Sequence, residues 1–358
     1  MSSNFWHEKI KVGNLSFPRI MAAPLDGITD SPLRQLIREF SPETLLFGEM
    51  RHVACVANAK DNVSLTFEPN EHPIAYQVSA NRLEYIEKAI EKIIEHKFDM
   101  FNLNAGCPSK TVTKSGSGSA LMADPERLKT LLLQMKQALA GRIPLTLKMR
   151  AGFKEVNGLE IAAIAEEVGV EMLIIHPRTA PGGFTSPLNY ELVKEIKEMV
   201  SMPIIFSGNV NSFARAQKMH ELTGIDGVMV GRALWGCPWK IAEMEAERDG
   251  KPFFISSETS IQYALKHLEL NQHAYKNHGF IHFKKQVCQY LKGITNAAEM
   301  RAQLLRSQSH DAMKEILLHI LQKTKEISHE QEMVTLPHSL LNAADLSLTN
   351  NQPTQSLL

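Results

Sequence analysis

Eight short β-prone stretches run through the first 234 residues, and most are separated by segments with helical apolar spacing. They are RIMAAP (19–24), TLLFGEM (44–50), PIAYQVS (73–79), DMFNLNAG (99–106), PLTLKMRAG (144–152), MLIIHPRT (172–179), PIIFSGNV (203–210) and GVMVGRAL (227–234). Between them, RLEYIEKAIEKIIEH (82–96), PERLKTLLLQMKQAL (125–139), LEIAAIAEEVG (159–169) and NYELVKEIKEMV (189–200) place apolar residues three and four apart. Strands alternating with helices require parallel pairing through right-handed crossovers. Eight such units predict an α/β fold, a (β/α)8 TIM barrel, whose usual size is about 250 residues. The alternative is an open doubly wound sheet, which would open its first helix with G-x-G-x-x-G; no such motif stands there.

After Trp239 the strand pattern stops. SIQYALKHLELNQHAYKN (260–277), IHFKKQVCQYLKGI (281–294), NAAEMRAQLLRSQ (296–308) and DAMKEILLHILQKTKEI (311–327) read as a small helical bundle. The organisation expected is a barrel over 1–245, a helical domain over 251–330 and a polar, flexible tail over 331–358. A chain of 358 residues, 44% of them hydrophobic, is long enough to bury both cores. No 18-residue apolar run spans a membrane, and the charged start lacks a signal-peptide core. Cys55, Cys107, Cys237 and Cys288 lie more than fifty residues apart, which excludes a CxxC metal or redox pattern, and the fourteen histidines form no HExxH. Free thiols in a cytoplasmic setting, with no metal, are the expectation.

Net charge is zero, so a nucleic-acid partner has to meet a local basic face. Residues 251–330 hold eleven Lys and Arg against seven Asp and Glu, with seven histidines. A solvated helix face is the plain reading of that excess.

Barrel chemistry sits where strands end and βα loops begin. Polar residues collect there: APLDGITD (23–30), Glu49, Gln77, Asn104, Cys107, Lys148, Arg150, His176 and Arg178. SGNV (207–210) and GRAL (231–234) close the last two strands. Gly208 and Gly231 let backbone approach a ligand, Arg232 adds a fork of donors, and a phosphate commonly docks between these loops. A phosphorylated cofactor or substrate is therefore expected. Flavin mononucleotide (FMN) would place its phosphate there and its ring across the barrel mouth, with Lys148 offsetting negative charge near N1 and Gln77 bonding the ring's polar edge. Cys107, between Gly106 and Pro108, is by itself open to three readings: a packed small residue, a metal ligand or half of a disulfide.

Seven motifs, in order, resemble the tRNA-dihydrouridine synthases, FMN enzymes that reduce particular uridines in tRNA. They are APLDGITDSPLR (23–34), NLNAGCPSK (102–110), SGSGSALMADPERL (115–128), LKMRAG (147–152), HPRT (176–179), SGNV (207–210) and VGRAL (230–234). The likeness covers roughly residues 18–310. Leu25 replaces a usual methionine, a roughly volume-conserving change, and S-G-N-V stands where N-G-D/E-I is usual.

The resemblance implies hydride transfer from flavin N5 to uracil C6 and a proton from Cys107 to C5. A free thiol, with an ordinary pKa of about 8.5, is mostly protonated at neutral pH and fit for that role. It implies FMN contacts at Pro24, Gln77, Lys148, His176, Ser207, Gly208, Asn209, Gly231 and Arg232, and substrate contacts at Asn104, Arg150 and Arg178. It also implies NADPH (or NADH) as reductant, a monomer, and tRNA phosphate contacts at Lys284, Lys285, Lys292, Arg301 and Arg306. The Gly/Ser-rich segment after Cys107 reads as a movable lid, and the other three cysteines as packing.

The rival enzyme is an FMN-dependent dihydroorotate-type dehydrogenase acting on a free pyrimidine, against which the basic bundle and HPRT argue. A third reading, an RNA-binding protein on a dead barrel, conflicts with the presence of both Cys107 and Lys148.

Overall fold

The computed structural model describes residues 4–59 and 65–330, with side chains to residue 325; the tail expected over 331–358 lies outside the described residues. Two three-residue strands, β1 (Ile10–Val12) and β2 (Leu15–Phe17), pair as an antiparallel hairpin. Then follow β3 (Ile20–Ala22), β4 (Leu46–Phe47), β5 (Arg51–His52), β6 (Ile74–Ser79), β7 (Met100–Ala105), β8 (Leu145–Gly152), β9 (Met172–Thr179), β10 (Ile204–Ser207) and β11 (Gly227–Val230). Eight of them pair in parallel in the order β3-β11-β10-β9-β8-β7-β6-β4, and β5 adds a second short pairing to β6. Between the two ends of that path, Ala22 N–H donates to Leu45 C=O at 3.1 Å and the Thr44 hydroxyl to Ile20 C=O at 2.7 Å. These bonds bring the sheet round into a nearly closed barrel.

Each of the eight β-prone stretches supplies one barrel strand. The stretch 44–50 pairs only over Leu46–Phe47, because the chain leaves the sheet after Gly48. There the Glu49 carboxylate accepts the Gly27 N–H, which ties this loop to the one after β3.

Helices α1 (Ser31–Phe40), α2 (Val53–Asn58), α3 (Ile86–Glu95), α4 (Lys110–Lys114), α5 (Pro125–Leu139), α6 (Gly158–Val168), α7 (Tyr190–Met199), α8 (Phe213–Thr223) and α9 (Lys240–Arg248) lie between or after the strands. Their starts are written in the sequence. Asp30, Asp124, Asn189 and Ser212 each accept a backbone N–H three residues on, and Pro32 and Pro125 stand in the first turn.

Alternation along the strands sorts the apolar residues into two layers. Outward residues such as Ile20, Ile74, Tyr76, Leu103, Leu147, Leu173 and Phe206 pack under the helices. Inward residues, among them Met21, Phe47, Ala75, Met100, Met172, Ile174, Ile205 and Met229, fill the barrel's lower half. The hairpin plugs that end: Ile10, Val12 and Phe17 belong to the same inner cluster.

Four further helices, α10 (Ser257–Tyr275), α11 (Gly279–Val287), α12 (Ala297–Arg306) and α13 (His310–Glu330), share a separate core of Ile261, Leu268, Phe283, Tyr290, Leu304 and Leu317. This bundle is bonded to the barrel's loops. The Trp235 indole N–H donates to Lys285 C=O at 2.9 Å, Gln286 Nε2 to Ile28 C=O at 3.0 Å, and the Tyr275 hydroxyl to Asp30 at 3.3 Å. Among the described residues no helix is long and apolar enough to cross a membrane.

One buried titratable group makes the bundle acid-sensitive. His267 is fully buried beside Phe283 and Tyr290, with Nδ1 2.9 Å from the Tyr290 hydroxyl, and burial pushes its pKa down to about 3. The unfolded chain takes up this proton near the ordinary value of about 6.5, so stability is full above that pH and falls as pH drops toward the folded value. The slope expected is up to about 1.4 kcal/mol per pH unit. Urea titrations of the wild type and His267→Gln between pH 6.5 and 4, followed by a probe in the bundle, check this. Equal pH slopes in the two would contradict it.

Candidate active site

Near the C-terminal ends of the strands the inward positions change from apolar to polar. Gln77 on β6, Asn102 and Asn104 on β7, Thr146, Lys148 and Arg150 on β8, His176 and Arg178 on β9 and Ser207 on β10 all continue the inward rows. Parallel register sets Asn104 opposite Lys148 and Arg150 opposite His176.

Together with the loops above them, these strand ends enclose a cavity of 530 Å³. Its lining includes Pro24, Gln77, Asn104, Cys107, Lys148, Arg150, His176, Ser207, Gly208, Asn209, Gly231 and Arg232, so twelve residues singled out from the sequence meet at one place. Arg178 is not among them. It is buried, with Nε donating to the Ser186 carbonyl and Nη1 unpartnered.

Cys107 is half-buried, and its backbone is held from both sides. Asn104 Oδ1 accepts the N–H groups of Gly106 and Cys107 at 3.0 and 2.8 Å. The Cys107 carbonyl accepts both the N–H and the hydroxyl of Ser119, each at 3.0 Å. Gly118, at φ +61°, permits this approach, since a Cβ there would lie 2.7 Å from the Cys107 carbonyl oxygen. The segment that reads as a lid is thus built differently: α4, then a 3₁₀ turn over Gly118–Ala123 pinned to the cysteine's own carbonyl.

Cations dominate the electrostatics, and Asp26 is the sole carboxylate among the described lining residues. Lys148 faces the cavity but is hemmed in by protein; burial and the neighbouring Arg150 lower its pKa to about 8, partly offset by Cys107. His176 is driven far below its ordinary value by burial and then by Lys148, Arg150 and Arg178, so its ring is neutral at physiological pH. Its Nδ1 is buried without a partner. Arg150 is largely occupied: Nε donates to Gly106 C=O at 2.8 Å, and Nη1 to the carbonyls of Thr179 and Gly183 at 2.9 and 3.2 Å. It staples the loops after β7 and β9.

On the opposite side, Gly208 (φ +130°) and Asn209 (φ +54°) turn the backbone after β10. A Cβ on Gly208 would lie 3.3 Å from His176 Nε2, so a side chain there would crowd the ring. Arg215 Nη1 donates to Asn209 C=O at 3.3 Å and steadies the turn.

The five basic residues of the bundle do not line the cavity and do not behave alike. Lys284 donates to Ser307 C=O at 2.6 Å, and Arg301 to the carbonyls of Cys288 and Leu291 at 3.2 and 3.3 Å, so both are engaged in holding the bundle together. Lys285, Lys292 and Arg306 are exposed. The other cysteines differ from one another too. Cys237 and Cys288 pack on the bundle core, whereas Cys55 is exposed on α2.

Several lining residues carry no strong mark in the sequence: Met50, Phe184, Asn211 and Arg215. Phe184 is 51% exposed at the mouth, with the Arg232 guanidinium 4.3 Å above its ring. An aromatic inside the Gly/Pro-rich loop after β9 is the signal that marks it. Among the described residues no group of three or more His, Cys, Asp or Glu side chains is placed to hold a metal ion.

Residues 21–326 match the family model described as dihydrouridine synthase. The chain is 31% identical over 311 residues to tRNA-dihydrouridine synthase B of Pseudomonas aeruginosa, covering 85% of this chain and 93% of that protein. It is 27% identical over 321 residues to the probable tRNA-dihydrouridine synthase 1 of Synechocystis sp., covering 87% and 89%. Among solved structures, the old yellow enzyme homologue from Zymomonas mobilis superposes with a TM-score of 0.52 at 14% identity, over 70% of this chain and 94% of that one. That similarity is one of fold, a TIM barrel with helices between its strands.

The cluster of like charges has a measurable signature. In ligand-free protein, NMR of labelled lysine side chains should place the Lys148 midpoint at about 8 and move it upward in Arg150→Gln, because a repelling neighbour is lost. A midpoint at the ordinary lysine value of about 10.4 in the wild type would contradict this account.

Proposed function

The chain belongs to the dihydrouridine synthase family, and on that footing we propose that it reduces uridines in tRNA to 5,6-dihydrouridine with FMN held in the barrel mouth. One observation carries the reading: a half-buried thiol, pinned by its own backbone, opens onto a cation-lined cavity at the C-terminal end of the barrel.

The residues fit FMN. Ser207, Gly208, Asn209, Gly231 and Arg232 form a carboxylate-free corner suited to its phosphate, and Gln77, Lys148 and His176 face the space left for the ring. The orphaned Nδ1 of His176 is a buried polar atom in want of a partner. Pro24 contributes apolar wall. When bound, FMN supplies the hydride that uracil receives at C6, and NADPH (or NADH) is the reductant we assign to recharge it.

Cys107 donates its thiol proton to C5. Lys148 and Arg150 both lie within electrostatic reach of that sulfur and stabilise the thiolate left behind. Arg150 also holds Gly106 in place through the Nε bond, so the turn that carries the thiol does not move away as charge develops. Asn104 sits next to the acid and is assigned to the uracil edge. Arg178, outside the cavity lining, acts on the loop at Ser186 and supports the substrate wall from behind. Family membership decides against a dehydrogenase of free pyrimidines.

We assign the tRNA grip to the helical part, 251–330, with the barrel of 1–245 as the catalytic part. Lys285, Lys292 and Arg306 are the phosphate contacts; Lys284 and Arg301, whose donors go to backbone carbonyls, serve the bundle's own packing. Lys285 also reaches over Gly27, in the loop after β3.

Cys107→Ala should keep its flavin and its NADPH oxidation while dihydrouridine formation on unmodified tRNA falls by about 10²- to 10⁴-fold, the scale of a lost general acid. Nucleoside mass spectrometry reads the product, and near-wild-type yields would return Cys107 to a packing role. For the grip, Lys285→Ala and Arg306→Ala should each flatten the slope of log K for tRNA against log salt by about 0.7–0.9. An unchanged slope in both variants would place the docking surface elsewhere.

A further inference from the structure

Beneath the cavity a chain of side-chain hydrogen bonds crosses three strands. The Thr146 hydroxyl donates to Phe101 C=O at 3.0 Å, and Asn102 Nδ2 donates to Thr146 Oγ1 at 2.8 Å. Gln77 Nε2 donates to Asn102 Oδ1 at 2.7 Å, and Asn104 Nδ2 to Gln77 Oε1 at 2.9 Å. Asn104 Oδ1 then accepts the N–H groups of Gly106 and Cys107. Asn102 and Thr146 are fully buried and do not line the cavity.

Both ends of this chain have fixed polarity. A carbonyl can only accept, so the Thr146 proton goes to Phe101 and its lone pair is left for an N–H. A backbone amide can only donate, so Asn104 must turn its oxygen to Gly106 and Cys107. Each amide between has one orientation that satisfies its neighbours, and the two ends demand the same one. Reversing any of the three would set oxygen against oxygen, or N–H against N–H, among side chains that are all buried.

We propose that Asn102 and Thr146 are positioning residues, which lock the amides of Gln77 and Asn104 so that each keeps one N–H free for the cavity. The inference rests on the function proposed above and deepens it. Hydride addition at uracil C6 drives electrons through C5 toward the C4 carbonyl oxygen, where negative charge develops until C5 takes the Cys107 proton. A donor beside that oxygen stabilises the charge, and an amide oxygen there would oppose it. The same lock holds the N–H groups of Gly106 and Cys107, which sets the reach of the thiol. Its loss lowers the chemical rate and leaves the grip on tRNA alone.

The test compares near-isosteric variants of the flavin-loaded full chain. Asn102→Leu removes the acceptor that orients Gln77; Asn102→Asp keeps an acceptor at that point. Asn102→Leu should lower kcat for dihydrouridine formation by about tenfold to a hundredfold, the scale of a displaced reacting group, with the KM for tRNA unchanged. Asn102→Asp, kept protonated by full burial, offers its O–H to Thr146 and its carbonyl oxygen to Gln77, and should restore kcat to within about threefold of wild type. Hydrogen exchange at the Gly106 and Cys107 amides should quicken in the leucine variant and not in the aspartate one. Thr146→Val against Thr146→Ser gives the same contrast at the lower end, and serves if Asn102→Leu does not fold. Equal kcat and equal exchange in the leucine and aspartate variants would overturn the proposal. A wild type that makes no dihydrouridine would instead sink the functional reading, and the exchange contrast would still decide whether the lock exists.

Discussion

Inside a nearly closed parallel barrel an inward side chain cannot turn to solvent, and everything else in this structure follows from how that constraint is met. At the lower end it is met by methionine, isoleucine and phenylalanine, with a hairpin driven in as a stopper. At the upper end polar groups occupy the same rows, and each needs a partner or an opening. Gln77, Asn102 and Thr146 find partners in one another; Lys148 and His176 face the opening. The boundary between the two halves falls within single strands, as in β7, where Met100 points inward two residues before Asn102.

Crowding cations at that opening has a cost the protein bears in the ligand-free state. Lys148, Arg150 and Arg178 each lie below their ordinary pKa, and burial is the first cause for all three. Mutual repulsion adds to it. Much of the guanidinium capacity is nevertheless taken up by carbonyls, as with Arg150, so these side chains build the loops as well as charging the cavity. An anionic ligand would relieve the remainder; burial and these same cations are what keep His176 neutral.

The eight barrel strands and four of the helices between them (α3, α5, α6 and α7) were legible because long apolar runs and helical spacing are read directly from residue order. The cavity lining was legible for a related reason: polar residues at the end of an apolar strand stand out. What stayed hidden has a common cause. The hairpin Ile10–Phe17 is too short to show a period. Asn102 and Thr146 look like interruptions of a strand, and only the inward row they share with Asn104 and Lys148 gives them meaning. Lys284 and Lys285 are adjacent in sequence yet face different surroundings, because neighbouring residues on a helix point about 100° apart and composition does not say which side is buried. Cys55 shows the converse, an apolar-looking residue left on the outside of α2.

The bundle is fastened at Ile28, Asp30 and Trp235, in the loops after β3 and β11, and those same loops supply Pro24, Leu25, Gly231 and Arg232 to the cavity. The two parts are therefore clamped like the jaws of a jig, with a set span between the face that would grip a folded polymer and the pocket that would treat one of its bases. In such a device the workpiece is selected by reach: a base is modified when it lies at the right offset from the gripped surface, whatever its neighbours in sequence. Re-aiming the tool would then require recutting the joint at Trp235, Tyr275 and Gln286, while the pocket itself could stay as it is.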